Sequence, residues 1–189
     1  PHVSFPFRTI PAAGLITGGG SVSTMTNKED KMSAQLIFDL VPLGSLIRYS
    51  DGTPRPPERF RKKLAAWENR NSVGRLIRKQ AERHIGNTTL PACITLHEGD
   101  YGSKGIVTIR VHRTFSVDGD LKFTVAERPA IGTVRVLDRP GDDAELVYLA
   151  SHHADAEEWL TRHGYPDAVL DEVTADAVAA DSVEGRAAA

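Results

Sequence analysis

Hydrophobic and polar positions change their period along this chain. From Leu36 to Ser50, "LIFDLVPLGSLIRYS" is dense in β-forming residues and broken at Pro42 and Gly44, which predicts a strand, a turn and a second short extended piece. Pro56 and Pro57 suit a first helical turn, and in "PERFRKKLAAWENRN" Phe60, Leu64 and Trp67 recur at helical spacing as a buried stripe. Asn71 or Ser72 stands where a cap belongs for a second helix, "VGRLIRKQAERHIG", anchored by Leu76, Ile77 and Ile85 and ended by Gly86. Beyond Gly86 the period shortens to two. "LPACITL", "IVTIRVHRTF", "LKFTVAE" and "GTVRVL" read as strands, "AELVYLA" adds another, and Asp118-Gly119 reads as a hairpin turn. "HADAEEWLTRHGYP" returns to helical spacing, with Arg162 and His163 in its last turn, Gly164 just past it and Pro166 beyond. Strand, two helices, a run of strands and a helix make the expected fold class α+β.

The flanks differ from this centre. Residues 1–33 are rich in Gly, Ser and Thr and predict a flexible arm; residues 34–170 form the expected domain; residues 171–189, "DEVTADAVAADSVEGRAAA", predict an acidic, Ala-rich tail. A chain of 189 residues with 40% hydrophobic content supports one such domain. No run approaches the roughly 18 apolar residues of a membrane span, so no membrane insertion is expected. The first residues lack a cationic leader before a long apolar run, which predicts no secretory signal. Cys93 is the single cysteine and has no partner for an internal disulfide, as expected of a cytoplasmic protein.

Charge is distributed unevenly. Between Arg55 and Arg83 stand ten Lys or Arg against Glu58, Glu68 and Glu82, a local net of +7; from Asp138 onward thirteen Asp or Glu face Arg139, Arg162 and Arg186, a net of −10. The overall −2 therefore conceals a dipolar chain, with a polyanion-binding face expected beside an acidic tail.

Arginine forks match phosphate geometry, so Arg59, Lys63, Arg75, Arg78 and Lys79 are candidate phosphate contacts. The plainer alternative is a solvated helix pair, but three acids cannot neutralise ten bases. Gly74 and Arg75, at a predicted helix start, would let a phosphate approach the backbone beside a cation, although "NSVGR" is no Walker loop and a helix-entry glycine reads equally well. "HEGDYGSKG", His97 to Gly105, predicts a Gly-rich loop in which Glu98, Asp100 and the imidazole could hold a hard cation or activate water, with Asp51 as a further member. Most such loops are simple turns. Cys93 and His97 lie about 13 Å apart if they share a strand, too far to chelate one zinc ion. His152 and His153 read more simply as a helix entry than as a metal site.

"VPLGSLIRYSDGTPRPPERF" carries a further signal. Its Val-Pro opening (Val41 to Leu46), followed by an Arg-Pro segment, resembles the start of the ParB/sulfiredoxin superfamily, and the chain from Pro1 onward resembles plasmid-encoded fertility-inhibition proteins. The resemblance implies a ParB/sulfiredoxin-like fold with a mixed or antiparallel sheet and flanking helices. It implies ATP as a cofactor, DNase and ATPase activity, and DNA (T-DNA or a transferred plasmid strand) as the partner; phosphodiester cleavage then calls for a divalent cation, usually magnesium, held by carboxylates. It also implies a type IV secretion coupling protein as target, at the cytoplasmic entrance of the channel. Taken with the charge pattern, this makes Arg55, Arg59, Lys63, Gly74, Arg75, Arg78 and Lys79 the expected phosphate contacts, Asp51, Glu98 and Asp100 the expected metal ligands, and Asp51, Glu58, Glu98 and Asp100 the catalytic candidates. The superfamily's Gly-x-x-Arg phosphate element is present at Gly74 to Arg78 only with one extra residue. Cys93 is followed by Ile94 without a Gly-Gly-Cys-His run, so sulfinic acid reduction is rejected. A non-enzymatic blocker of the coupling protein and a DNA adaptor are the alternatives.

Overall fold

Two antiparallel sheets, a short hairpin and three helices make up the described part of the chain, residues 32–103 and 106–175 of the computed structural model. The α+β class is as expected. No helix among these residues is long and apolar enough to cross a membrane.

The first element corrects the expected strand. Ala34–Leu40 is a helix, α1, capped by the Ser33 hydroxyl, which accepts from the Leu36 amide at 3.3 Å. Its β-rich letters mislead because Ala34, Ile37 and Val41 recur at i, i+3 and i+7, the spacing of one helical face, and all three are fully buried. Gly44 then turns the chain with φ of +92°, into β1 (Leu46–Ser50).

α2 (Arg61–Glu68) lies within the expected helix but starts after the two prolines, and its stripe is not buried. Phe60 is 43% exposed, and Leu64 and Trp67 are only half-buried. The element is a surface helix, held by the Trp67 indole donating to the Thr53 carbonyl at 2.9 Å.

The second expected helix is a strand. β2 (Ser72–Gln80) lies between β1 and β5 (Cys93–Ser103), and Leu76 pairs across to Leu96. Buried Gly74 and Leu76 alternate with Arg75 and Ile77, which face the other way, and this period of two overrides helical propensity. Gly86 ends no helix; its φ of +60° makes the turn between β3 (Arg83–Ile85) and β4 (Thr88–Leu90). His97 to Ser103 is likewise strand rather than loop, since β5 pairs with β6 (Ile106–Ser116). Cys93 and His97 share β5, consistent with the zinc reading being rejected.

The first sheet runs β6-β5-β2-β1-β7, where β7 is Lys122–Glu127. Asp118-Gly119 is therefore not a hairpin turn between paired strands: it links opposite edges of the sheet. Laid flat, those edges would stand about 19 Å apart at the usual strand spacing. Instead the Phe115 ring of β6 comes within 5.4 Å of the Phe123 ring of β7, so the sheet curls almost into a barrel. Tyr49, Leu76, Ile94, Leu96 and Phe123 fill it, with α1 packed against them.

β8 (Val134–Leu137), β9 (Leu146–Ala150) and β10 (Val169–Glu172) form the second sheet, in the order β10-β8-β9. Helix α3 (His153–Arg162) matches the expected helix and closes this sheet through Ala156, Trp159 and Leu160. β10 runs across the 170/171 position where the tail was expected to begin, and Val173 beyond it is buried. The rest of the expected arm (1–31) and of the acidic tail (176–189) lies outside the described residues.

Candidate functional site

A cleft of about 540 Å³ opens where the outer face of the curled sheet meets the second sheet and α3. One wall is polar: Arg75, His97, Asp100, Arg110 and His112, with Ile77 beneath them. Strand alternation explains most of this wall, because the residues between them point into the barrel.

Asp100 needs a further device. A register shift between His97 and Gly99 brings it back to the face of His97, whose Nε2 lies 2.9 Å from its Oδ1. Arg110 Nε bonds the same oxygen at 3.0 Å. Partial burial raises the Asp100 pKa, but the bonds from His97 and Arg110 outweigh it and leave the carboxyl below its ordinary value. His97 and His112 are cross-strand partners, their rings edge to face at 5.5 Å. Burial, joined by the charges of His97 and Arg110 against the opposing pull of Glu145, moves His112 below its ordinary value. Its imidazole is therefore neutral near pH 7. Arg75 donates to the Gly44 carbonyl, and burial lowers its guanidinium against the opposing charge of Glu127.

The opposite wall is aromatic. Trp159 of α3 lies parallel to Tyr148 of β9 at 5.0 Å and to His163 at 3.8 Å, with Tyr165 at 5.5 Å. These rings owe their positions to the start of α3. His152 caps that helix by accepting from the Asp155 amide at 3.1 Å, so the helix-entry reading of His152 holds. Asp155 in turn accepts from the Ser151 amide at 2.9 Å and from the Tyr148 hydroxyl at 3.3 Å. The His163 Nδ1 lies 2.7 Å from the Trp159 carbonyl oxygen, which holds its ring against the indole. A pile of parallel rings facing two guanidiniums can take a base and its phosphate together.

The candidates expected from sequence are only partly united here. Arg75, His97 and Asp100 line the cleft. Gly74 stands inside β2 rather than at a helix start: a Cβ there would meet the Leu96 Cβ at 2.9 Å and the His97 carbonyl oxygen at 3.0 Å, so close strand packing requires the glycine. Arg78 donates to the Asp143 carbonyl at 3.1 Å, and the Lys79 ammonium lies 5.9 Å from the Phe38 ring. Arg55, Arg59 and Lys63 belong to the exposed approach and first turn of α2, where Arg59 and Lys63 sit over the Phe60 ring at 4.8 and 5.5 Å. Glu58 is exposed beside Arg55 at 3.8 Å.

The three expected metal ligands do not converge, and among the described residues no group of three His, Cys, Asp or Glu can hold a metal ion. Asp51 Oδ1 accepts from the Thr53 hydroxyl at 2.6 Å, the Thr53 amide at 2.9 Å and the Asn71 side chain at 3.0 Å. With Arg70 beside it, these bonds lower its pKa to about 2. Glu98 points into the barrel, accepting from the Tyr49 hydroxyl and paired with Arg113 Nε at 3.1 Å. Burial and this carboxylate push the Tyr49 hydroxyl well up from its ordinary value. Magnesium therefore does not fit the set Asp51, Glu98 and Asp100.

Comparison with known proteins adds one finding. No curated protein matches the chain, and no solved structure matches it. The model of one family, described as uncharacterised conserved protein UCP036055, matches residues 32–177, the span that carries both sheets and the cleft. The chain belongs to the family of uncharacterised conserved protein UCP036055.

Proposed function

We propose that this protein binds nucleic acid in the cleft between its two sheets and cleaves it, acting as a plasmid fertility-inhibition factor that blocks export of T-DNA or conjugative DNA through a type IV secretion system. The observation that supports this most is the pairing of a parallel ring pile (Tyr148, Trp159, His163) with Arg75 and Arg110 across one cleft. Base stacking is tolerant of sequence, and guanidinium forks bind phosphate oxygens in pairs. The biological setting comes from resemblance: Val41 to Arg59 to the opening of the ParB/sulfiredoxin superfamily, and the whole chain to Osa-type fertility inhibitors. Three helices and antiparallel sheets are compatible with a ParB/sulfiredoxin-like fold.

ATP shares its chemistry with a nucleic-acid unit, a base joined through a sugar to phosphates, and would use the same residues. The ring pile would take the adenine and the two arginines its phosphates; a bound ATP supplies a phosphoryl group for hydrolysis. The exposed cations of α2 and its approach, Arg55, Arg59, Arg61, Lys62 and Lys63, would steer a phosphate backbone toward the protein.

Those cations also favour a second reading. An acidic surface on the secretion coupling protein, at the cytoplasmic mouth of the channel, would be covered by the same face without any cleavage. A mating assay separates the two. Arg110→Ala should abolish inhibition of transfer if the cleft acts, while Arg59→Ala with Lys63→Ala should abolish it if docking acts.

A further inference from the structure

We infer that phosphodiester cleavage in this cleft proceeds without a divalent cation, with His112 as general base and His97 as general acid. The inference rests on the cleft being the nucleic-acid site.

Geometry carries it. The expected carboxylates cannot assemble a metal: Asp51 and Glu98 are engaged elsewhere, and the one Asp100 oxygen that faces the histidine is shared by His97 and Arg110. What the two strands do assemble is an imidazole pair. Cross-strand registry fixes His97 against His112, and ring centroids 5.5 Å apart bring both within reach of the oxygens on one phosphate. Their surroundings differ. His97 has one nitrogen tied to the Asp100 carboxylate, which fixes its ring. His112 has Arg110 and His97 as cationic neighbours and Glu145 as the opposing anion, and is neutral. Arg75, His163, Tyr148 and Tyr165 are the other titratable groups facing the cleft. Two imidazoles in different environments divide naturally into base and acid.

The step balances without a co-reactant. Neutral His112 takes a proton from water, and the water oxygen forms a bond to phosphorus. The bond from phosphorus to the leaving sugar oxygen breaks, and His97, as the general acid, gives an N–H proton to that oxygen. Arg75 and Arg110 stabilise the charge on the phosphoryl oxygens. Products are a phosphomonoester and an alcohol; exchange with solvent then returns the proton from His112 and reloads His97.

The test uses the full chain and a labelled single-stranded oligonucleotide, from pH 5 to 9, in EDTA and in magnesium. Cleavage should survive EDTA with a bell-shaped dependence on pH. His97→Gln and His112→Gln should each slow it by about 10²–10⁴-fold while mobility-shift affinity and thermal unfolding stay as in the parent. Cleavage that stops in EDTA and returns with magnesium overturns the inference, as does full activity in both variants. Binding without cleavage under any condition also overturns it but leaves the cleft reading standing. An oligonucleotide that does not bind at all defeats the cleft reading itself.

Discussion

His97 and Asp100 stand three residues apart on one strand yet meet Nε2 to Oδ1 at 2.9 Å. On a regular strand such residues point to opposite faces; the register shift between His97 and Gly99 brings them together. Asp100 is a positioning residue under this account, because it holds the imidazole rather than the phosphate. Asp100→Asn should reduce cleavage at least tenfold, move the pH–rate profile, and leave oligonucleotide affinity equal or tighter, since an anion beside the phosphate is lost. Rate profiles and mobility shifts on the same protein check this; an unmoved profile would count against the role.

His163 gives the ring pile its exposed member. His163→Ala should weaken oligonucleotide binding by about 1–3 kcal/mol, the usual worth of one stacked base. Trp159→Phe, which keeps a parallel ring against Tyr148, should cost less. Isothermal titration compares the two, and equal affinity in His163→Ala and the parent would remove stacking from the account.

Gly74 reports on packing rather than on phosphate. Its missing Cβ lets β2 and β5 approach, with only 2.9 Å left to the Leu96 Cβ. Gly74→Ala should therefore destabilise the fold by about 1–3 kcal/mol through overpacking, read from the urea midpoint. Affinity for oligonucleotide should be unchanged at temperatures where the variant is folded.

Salt dependence isolates the α2 face. Arg59, Lys62 and Lys63 are exposed, and each phosphate they neutralise releases condensed counterions. Replacing all three with Ala should flatten the slope of log affinity against log salt by up to about 2 for single strands. The same triple variant should keep its cleavage rate at saturating DNA.

Asp51 contributes to stability rather than catalysis. Bonds from Thr53 and Asn71 lower its carboxyl from 3.8 to about 2, so its stabilisation is fully present above 3.8 and is lost as pH falls toward 2. Asp51→Asn should lower the urea midpoint at pH 7, with the gap to the parent closing near pH 2. Activity at pH 7 should be retained.

Much of the fold was legible because its signals were local. Period-two alternation marked the first half of β5 and β6 to β9, and α3 carried its C-terminal Gly164 and Pro166 in plain view. α1 and β2 were misread for opposite reasons. β-rich letters in α1 hid a helical stripe, and cationic, helix-compatible letters in β2 hid a strand whose identity comes from neighbours on both sides. Of the cleft, Arg75, His97 and Asp100 were legible as polar residues in suggestive places. His112, Arg110 and Trp159 were missed because pairing register is a tertiary property. "IRVH" (Ile109 to His112) does alternate apolar and polar residues on β6, which marks Arg110 and His112 as one face, but nothing local says that His97 lies opposite. The metal expectation failed for a related reason: spacing along the chain placed Glu98 beside Asp100, whereas the strand sends Glu98 into the barrel.

The cleft itself is tested most directly by fluorescence. The chain has two tryptophans, and Trp67→Phe leaves Trp159 as the only reporter. Titrating that protein, with His112→Gln added to slow cleavage, with a short single-stranded oligonucleotide should give saturable quenching, lost when Arg110→Ala is added. A mobility shift that persists while Trp159 emission stays flat would place the nucleic acid elsewhere and contradict the account.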